Sequence, residues 1–346
     1  MFGAALAATA GSSEEGFARL ASDMWLHWDP GHYLRIAEVG YRPSGEDALF
    51  IVFFPLFPLL VAGVGLVVRN IVIASLVVTT AASLAAGWLL YRLVRLDAPD
   101  DDARGSVVLL FAFPTAYALF VPFSESVFVA SLVASVYAAR TRHWWLAGLA
   151  GAAATATRIV GLALVPALLV EAFVAQRREG TAGRKLAAIC LVPLGFASYL
   201  GINWAVHGDP LHFLMVQEDH WFQYAVAPWT PVIDALEGIA SSNLDLEAFL
   251  VYPTRLIAIA FALGVLAFGW RSLTWTDRTF SAATMLMLLS ASWLISLPRY
   301  LLAIYPLFTT MGKLGRNRTA LWAVAGAAFT LQVFLFTRFA VGMWAF

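Results

Sequence analysis

Long apolar runs, short charged loops and two extended polar stretches alternate along the chain. The runs reach from about Ile71 to Val94, Val107 to Val121, Val127 to Ala139, Trp144 to Ala175 and Leu186 to Val206. Others follow from Val251 to Trp270, Phe280 to Leu297, Leu301 to Met311 and Leu321 to Phe339. A helix needs roughly 20 apolar residues to cross a hydrocarbon core of about 30 Å, and several runs meet or approach that length. Segments such as "IVIASLVVTTAASLAAGWLLY" are continuously apolar, whereas a barrel would alternate over about ten residues. The pattern therefore predicts an all-α fold: a polytopic transmembrane helix bundle of about 10–11 membrane helices, forming one domain over residues 1–346.

Three stretches depart from simple spans. Trp144 to Ala175 holds 32 residues, about 48 Å as one helix, and is expected to break into two short helices near Thr155 to Gly161. "FIVFFPLFPLLVAGVGLVV", Phe50 to Val68, carries Pro55 and Pro58 and is read as a helix lying against the outer membrane face, with an ordinary span kinked at Pro58 as the alternative. The first ten residues, "MFGAALAATA", are too short to span and lack the basic flank of a signal peptide. They are read as the outer end of a first helix, truncated at its start or simply short, with a frayed or interfacial tail as the alternative.

Composition agrees with the pattern: 61% of residues are hydrophobic, only 13% are charged, and the net charge is zero, which disfavours nucleic acid as a partner. Basic residues orient the bundle. "QRREGTAGRK", Gln176 to Lys185, carries four and "GKLGRNR", Gly312 to Arg318, carries three, so both loops are expected in the cytoplasm. Alternation then brings Arg92, Arg95, Arg104, Arg140, Arg142, Arg271 and Arg278 to the same side. The long polar stretches, about 11–49 and 207–250, fall outside, and the second holds seven acids and no Lys or Arg. The expected location is thus a multi-pass protein of the cell (plasma) membrane. Cys190, the single cysteine, lies in an apolar run and reads as a small core residue.

Candidate chemistry concentrates on the outer side. In "WDPGHYLRIAEVGY", Asp29 followed by Pro30 is a good helix start, with the carboxylate as cap. His32 and Arg35 share roughly the face of Asp29, while Leu34, Ala37 and Tyr41 form an apolar face suited to a membrane surface. A carboxylate at such a boundary is well placed as a general base. Glu125 in "PFSESVF" is either a first-turn residue beside a Ser124 cap or a second functional acid. Arg158 in "ATATRIVGL" and Arg299 in "SLPRYLL" interrupt apolar sequence. An intramembrane arginine costs roughly 2.5 to 3.5 kcal/mol, so each either snorkels to the interface or has a partner, and guanidinium matches phosphate. "HFLMVQEDHWFQYAVAPW" combines Gln217, His220, Trp221 and Trp229, the amide, imidazole and indole mixture of sugar-binding surfaces, which interfacial belts also use. No Walker loop, strand-associated GxGxxG, His-x-x-x-His pair or cysteine ligand set is present. The "DDD" of Asp100 to Asp102 matches Asp-x-Asp only trivially. No cofactor is expected, and a divalent metal is left open.

"WDPGHYLRIAEVGY", "FFPLFPLL", "PFSESVFVASL", "ATATRIVGL", "QEDHWFQ…PW" and "LPRYLLAIYPLF" occur in that order. Together they resemble the GPI mannosyltransferase 2 (PIG-V) family of GT-C type membrane glycosyltransferases, in a prokaryotic form. The resemblance covers most of the chain, and Trp-Asp-x-x-His-Tyr with Phe-Pro-Leu-Phe-Pro is its most specific part. It implies an inverting transferase working on the non-cytoplasmic face, moving mannose from a polyprenyl-phosphate donor to a glycolipid, glycan or protein acceptor. It maps the catalytic acid to Asp29 and makes His32, Glu125, Arg158, Gln217, His220, Trp221, Arg299 and Tyr300 candidates for substrate binding. The pattern departs at the first membrane helix, which is nearly absent. A lipid or sugar-lipid transporter, with Arg158 and Arg299 lining a path, is the alternative, although no paired internal repeat is evident.

Overall fold

The computed structural model describes residues 24–179, 182–241, 246–292 and 294–346, with the side chains of 176–182 left aside. The first ten residues, parts of both long polar stretches and the side chains of Arg177 and Arg178 of the basic loop lie outside that description. Among the described residues the chain is all-helical, with one isolated antiparallel bridge between Ala225 and Ala291. In order, the helices are α1 (Asp29–Val39), α2 (Leu56–Val68), α3 (Ile71–Val94), α4 (Asp100–Ala112), α5 (Glu125–Arg140) and α6 (Trp144–Thr155). Next come α7 (Leu164–Glu179), α8 (Ala182–Ile189), α9 (Val192–His207), α10 (His212–Trp221) and α11 (Thr230–Ser241). The last are α12 (Leu246–Gly269), α13 (Trp275–Leu289), α14 (Leu297–Tyr300), α15 (Tyr305–Met311) and α16 (Arg318–Ala340).

Four of these segments are long and apolar enough to cross a membrane: Ile71–Val94, Gly183–His207, Leu246–Ser272 and Arg318–Ala340. A fifth would be added if the bent pair Glu46–Val52 and Leu56–Val68 were one span. That is fewer than the ten or eleven expected, because α5 and α7 have 16 residues, α13 has 15 and α4 has 13. At 1.5 Å per residue even 16 residues reach only about 24 Å.

Local chemistry explains the boundaries. Asn70 and Asn317 cap α3 and α16, each accepting from a first-turn amide. Thr274 and Asp277 form a reciprocal capping box on α13. The expected break after Thr155 is present: a 3₁₀ turn, Ile159–Ala163, separates α6 from α7. Pro58, by contrast, makes no kink. It lies in the first turn of α2, where its missing donor costs nothing, and the 116° bend falls before it, at Phe53 to Pro55. The apolar side of α1 also differs from expectation, since Leu34 is buried and Tyr41 donates to the Phe53 carbonyl at 2.6 Å. This face packs on the protein rather than facing a membrane surface. Cys190, read as a core residue, is exposed at the junction of α8 and α9.

The basic loops meet at one end of the bundle. Arg140 bonds Asp97, Arg142 bonds Glu171, Arg316 bonds Asp102 and Lys313 donates to Ser272. Glu125 and Arg140 begin and end α5, so Glu125 marks the opposite end. Between the two ends, α5, α7, α13 and α15 fill the interior with buried Leu132, Val133, Val136, Leu168, Phe280 and Phe308. These ion pairs at the basic end are thus separated from Glu125 by an apolar layer.

Candidate active site

Five chain segments converge at the Glu125 end. Helix α1 supplies Asp29, His32 and Tyr33; the start of α5 supplies Ser124 and Glu125; Arg158 precedes the 3₁₀ turn; α14 carries Arg299 and Tyr300; and α10 brings Gln217 and Trp221. All of these side chains except the buried Ser124 line a cavity of about 450 Å³, within the size range of small-molecule sites. The short elements are held by specific bonds. The Leu56 amide donates to the Ala156 carbonyl at 3.1 Å, tying α2 to the turn before Arg158. Thr115 donates to the Pro298 carbonyl at 3.0 Å, fixing the turn that carries Arg299.

A continuous chain of charges crosses the cavity floor. Arg299 donates through Nη2 to Asp29 Oδ2 at 3.1 Å, and its Nε lies 3.1 Å from Glu125 Oε1. Arg158 donates through Nη1 to the same Glu125 oxygen at 2.6 Å. Both guanidiniums also rest on aromatic faces: Arg158 lies 4.9 Å from the Tyr300 ring centroid and Arg299 lies 4.3 Å from that of Phe123. The arginines therefore have partners and do not snorkel. Two acids and two bases balance, which is what burial of this many charges requires.

The two carboxylates are not equivalent. Asp29 is 33% exposed and Glu125 only 5%. Glu125 holds both arginines through one oxygen, while Oε2 is buried and accepts from no group among the described residues. Among the described residues Asp29 pairs with Arg299 alone, and it opens to the cavity. Neither Asp29 nor Ser124 acts as the cap that sequence suggested, while Glu125 does stand in the first turn of α5. Asp29 is itself the first helical residue, its N-cap being Trp28, and Ser124 makes no side-chain cap bond. Ser124 instead accepts from Tyr33 at 3.0 Å.

His32 packs between Phe50 and Phe53, at ring separations of 4.5 and 5.2 Å. Burial pushes its pKa below the ordinary value, and the Asp29 carboxylate partly opposes this. Gln217, Trp221 and Tyr300 line the cavity as expected, but His220 is exposed outside the lining and Trp229 stands in the open. Arg35 also points away and pairs with Asp47 at 2.8 Å, holding that carboxyl below its usual range. Sequence reasoning missed Trp28 and Trp344, whose rings meet edge to face at 5.4 Å on the cavity wall. Trp28 was in view only as the first residue of the Trp-Asp-x-x-His-Tyr segment, and the backbone there is left-handed at 65°. Trp344, at the far end of the chain, carried no signal. Among the described residues, no group of three or more metal-ligating side chains gathers.

Comparison with protein-family models, curated proteins and solved structures found no match to this chain.

Proposed function

We propose that this cavity is the active site of a multi-pass membrane glycosyltransferase of GT-C type, facing the non-cytoplasmic side. The enzyme transfers mannose from a polyprenyl-phosphate donor to an acceptor hydroxyl with inversion. The ordered motifs resembling the PIG-V family are the sole ground for the sugar and the family. The observation that carries the reading is the convergence of an accessible acid, Asp29, with two paired arginines in one cavity.

The chemistry follows from those positions. The acceptor oxygen attacks the anomeric carbon and its proton passes to the Asp29 carboxylate, a step worth about a hundred- to ten-thousand-fold. The bond from the anomeric carbon to the phosphate oxygen breaks, and polyprenyl phosphate leaves with the bonding pair. Arg299 and Arg158 stabilise the charge on that phosphate. Trp221 and Trp28 offer faces for a sugar ring, and Gln217 offers hydrogen bonds to its hydroxyls.

A transporter would need a route between the two ends of the bundle. The buried apolar layer of Leu132, Val136, Phe280 and Phe308 supports the enzyme over that alternative. Purified protein in lipid vesicles, given polyprenyl-phosphate with labelled mannose and a membrane extract as acceptor source, should release polyprenyl phosphate in step with label transfer. Movement of the intact lipid across the vesicle without transfer would favour the transporter.

A further inference from the structure

A second cavity, of about 670 Å³, opens at the basic end between α3, α4 and α16 and shares no residue with the proposed active site. Its lining is graded. Tyr91, Asp101, Arg104 and Arg318 lie at the end where the basic loops meet, and Leu84, Val107, Val108, Phe111 and Leu321 lie deeper. Along α4, Asp101 to Phe111 covers ten residue steps, about 15 Å, which is half the roughly 30 Å hydrocarbon core and so the depth of one leaflet. Two indoles, Trp88 and Trp322, flank the groove at 56% and 63% exposure, each within about one helical turn of Tyr91 or Arg318. Indoles favour that level of a bilayer. Gly87 shapes the floor, since a Cβ there would meet the Phe111 ring at 2.7 Å.

The charges at the mouth select the occupant. Arg318 is exposed and makes no hydrogen bond or ion pair among the described residues, whereas Arg104 is shared with Asp100 at 2.7 Å. Asp101, also exposed, stands in the same lining. A phosphodiester alone would satisfy the arginines but repel Asp101. A phosphodiester followed by a primary ammonium satisfies both. We propose that this groove binds one zwitterionic aminophospholipid of the basic-end leaflet, with its phosphate on Arg318 and Arg104, its ammonium on Asp101 and one acyl chain along α4. This inference rests on the membrane reading of the chain and is independent of the glycosyl-transfer reading.

Native mass spectrometry of the detergent-solubilised protein, titrated with phosphatidylethanolamine and separately with phosphatidylglycerol, tests it. The wild type should retain one phosphatidylethanolamine at the lower lipid concentration. Arg318→Gln, at an exposed and unpartnered side chain, should weaken that retention about tenfold. Asp101→Asn should reverse the preference in favour of phosphatidylglycerol. A phosphatidylethanolamine with a photoreactive acyl chain should crosslink to peptides of α3, α4 and α16. Equal retention by Arg318→Gln, tighter binding of phosphatidylglycerol by the wild type, or crosslinks spread over the other helices would each overturn the proposal. Full displacement of the lipid by chain-free glycerophosphoethanolamine would also overturn it, since the groove would then read only a headgroup.

Discussion

Asp29 and Glu125 face one cavity, and their surroundings give them different work. Glu125 is nearly enclosed and neutralises Arg158 and Arg299 together. Replacing it by Gln leaves Arg158 without its carboxylate partner and Arg299 with Asp29 alone, so Glu125→Gln should cost about 3 kcal/mol, read as a lowered melting temperature in detergent. Arg158→Gln should cost less, because Arg158 is 21% exposed and water can replace part of its pairing. His32 gives a pH dependence. Its folded pKa lies below the ordinary 6.5, because burial beside Phe50 and Phe53 favours the neutral ring. The unfolded chain therefore takes up a proton first as pH falls, and stability is lost from about pH 6.5 downward. His32→Phe should flatten the fall in melting temperature between pH 7.5 and 5.5. If both proteins lose stability equally over that range, His32 is not the group responsible. Sequence exposed these residues unevenly. Arg158 and Arg299 were legible because a cation in apolar sequence demands a partner, but the identity of that partner, Glu125, depends on three segments far apart in the chain. His220 and Gln217 looked equivalent by composition; the direction each takes from α10 separates them, and a loose sequence pattern does not fix it.

At the level of elements, the legible parts were those with local punctuation. The break after Thr155 and the long helix Ile71–Val94 follow from run length and capping residues. The bend at Phe53 to Pro55 was not legible, and Pro58 was offered only as the kink of an alternative ordinary span, because proline position alone does not say which turn of a helix it occupies. Helix pairing was not legible at all. Helices α6 and α9 cross with their backbones touching at glycine, and a Cβ on Gly195 would overlap the Ala152 carbonyl. Gly195→Leu should therefore destabilise the protein by about 1–3 kcal/mol or more, measured by thermal unfolding. The exposed Gly201 on the same helix meets nothing within 4 Å, so Gly201→Ala should leave the melting temperature unchanged or slightly higher. The pair of variants separates a packing effect from a propensity effect.

On the scale of the whole molecule, charge and indole are sorted to two ends. Arg140, Arg142 and Arg316 with their acids, and Lys313 with Ser272, gather at one end, and Asp29, Glu125, Arg158 and Arg299 form the balanced cluster at the other. Exposed Trp88, Trp270, Trp275 and Trp322 accompany the first, and Trp28, Trp204 and Trp229 the second. Such sorting fits a protein crossing a bilayer with its basic end in the cytoplasm. In a Cys190→Ser background, Glu218→Cys should react with a membrane-impermeant maleimide on intact cells, and Thr319→Cys only after permeabilisation. The reverse labelling would invert the orientation and separate the cavity from a donor presented outside. The most direct test of the central claim is transfer of labelled mannose from polyprenyl-phosphate mannose by Asp29→Asn. The Asn side chain keeps an oxygen for Arg299 but takes no proton, so folding should persist while transfer falls at least about a hundredfold. Full transfer by Asp29→Asn would contradict the account.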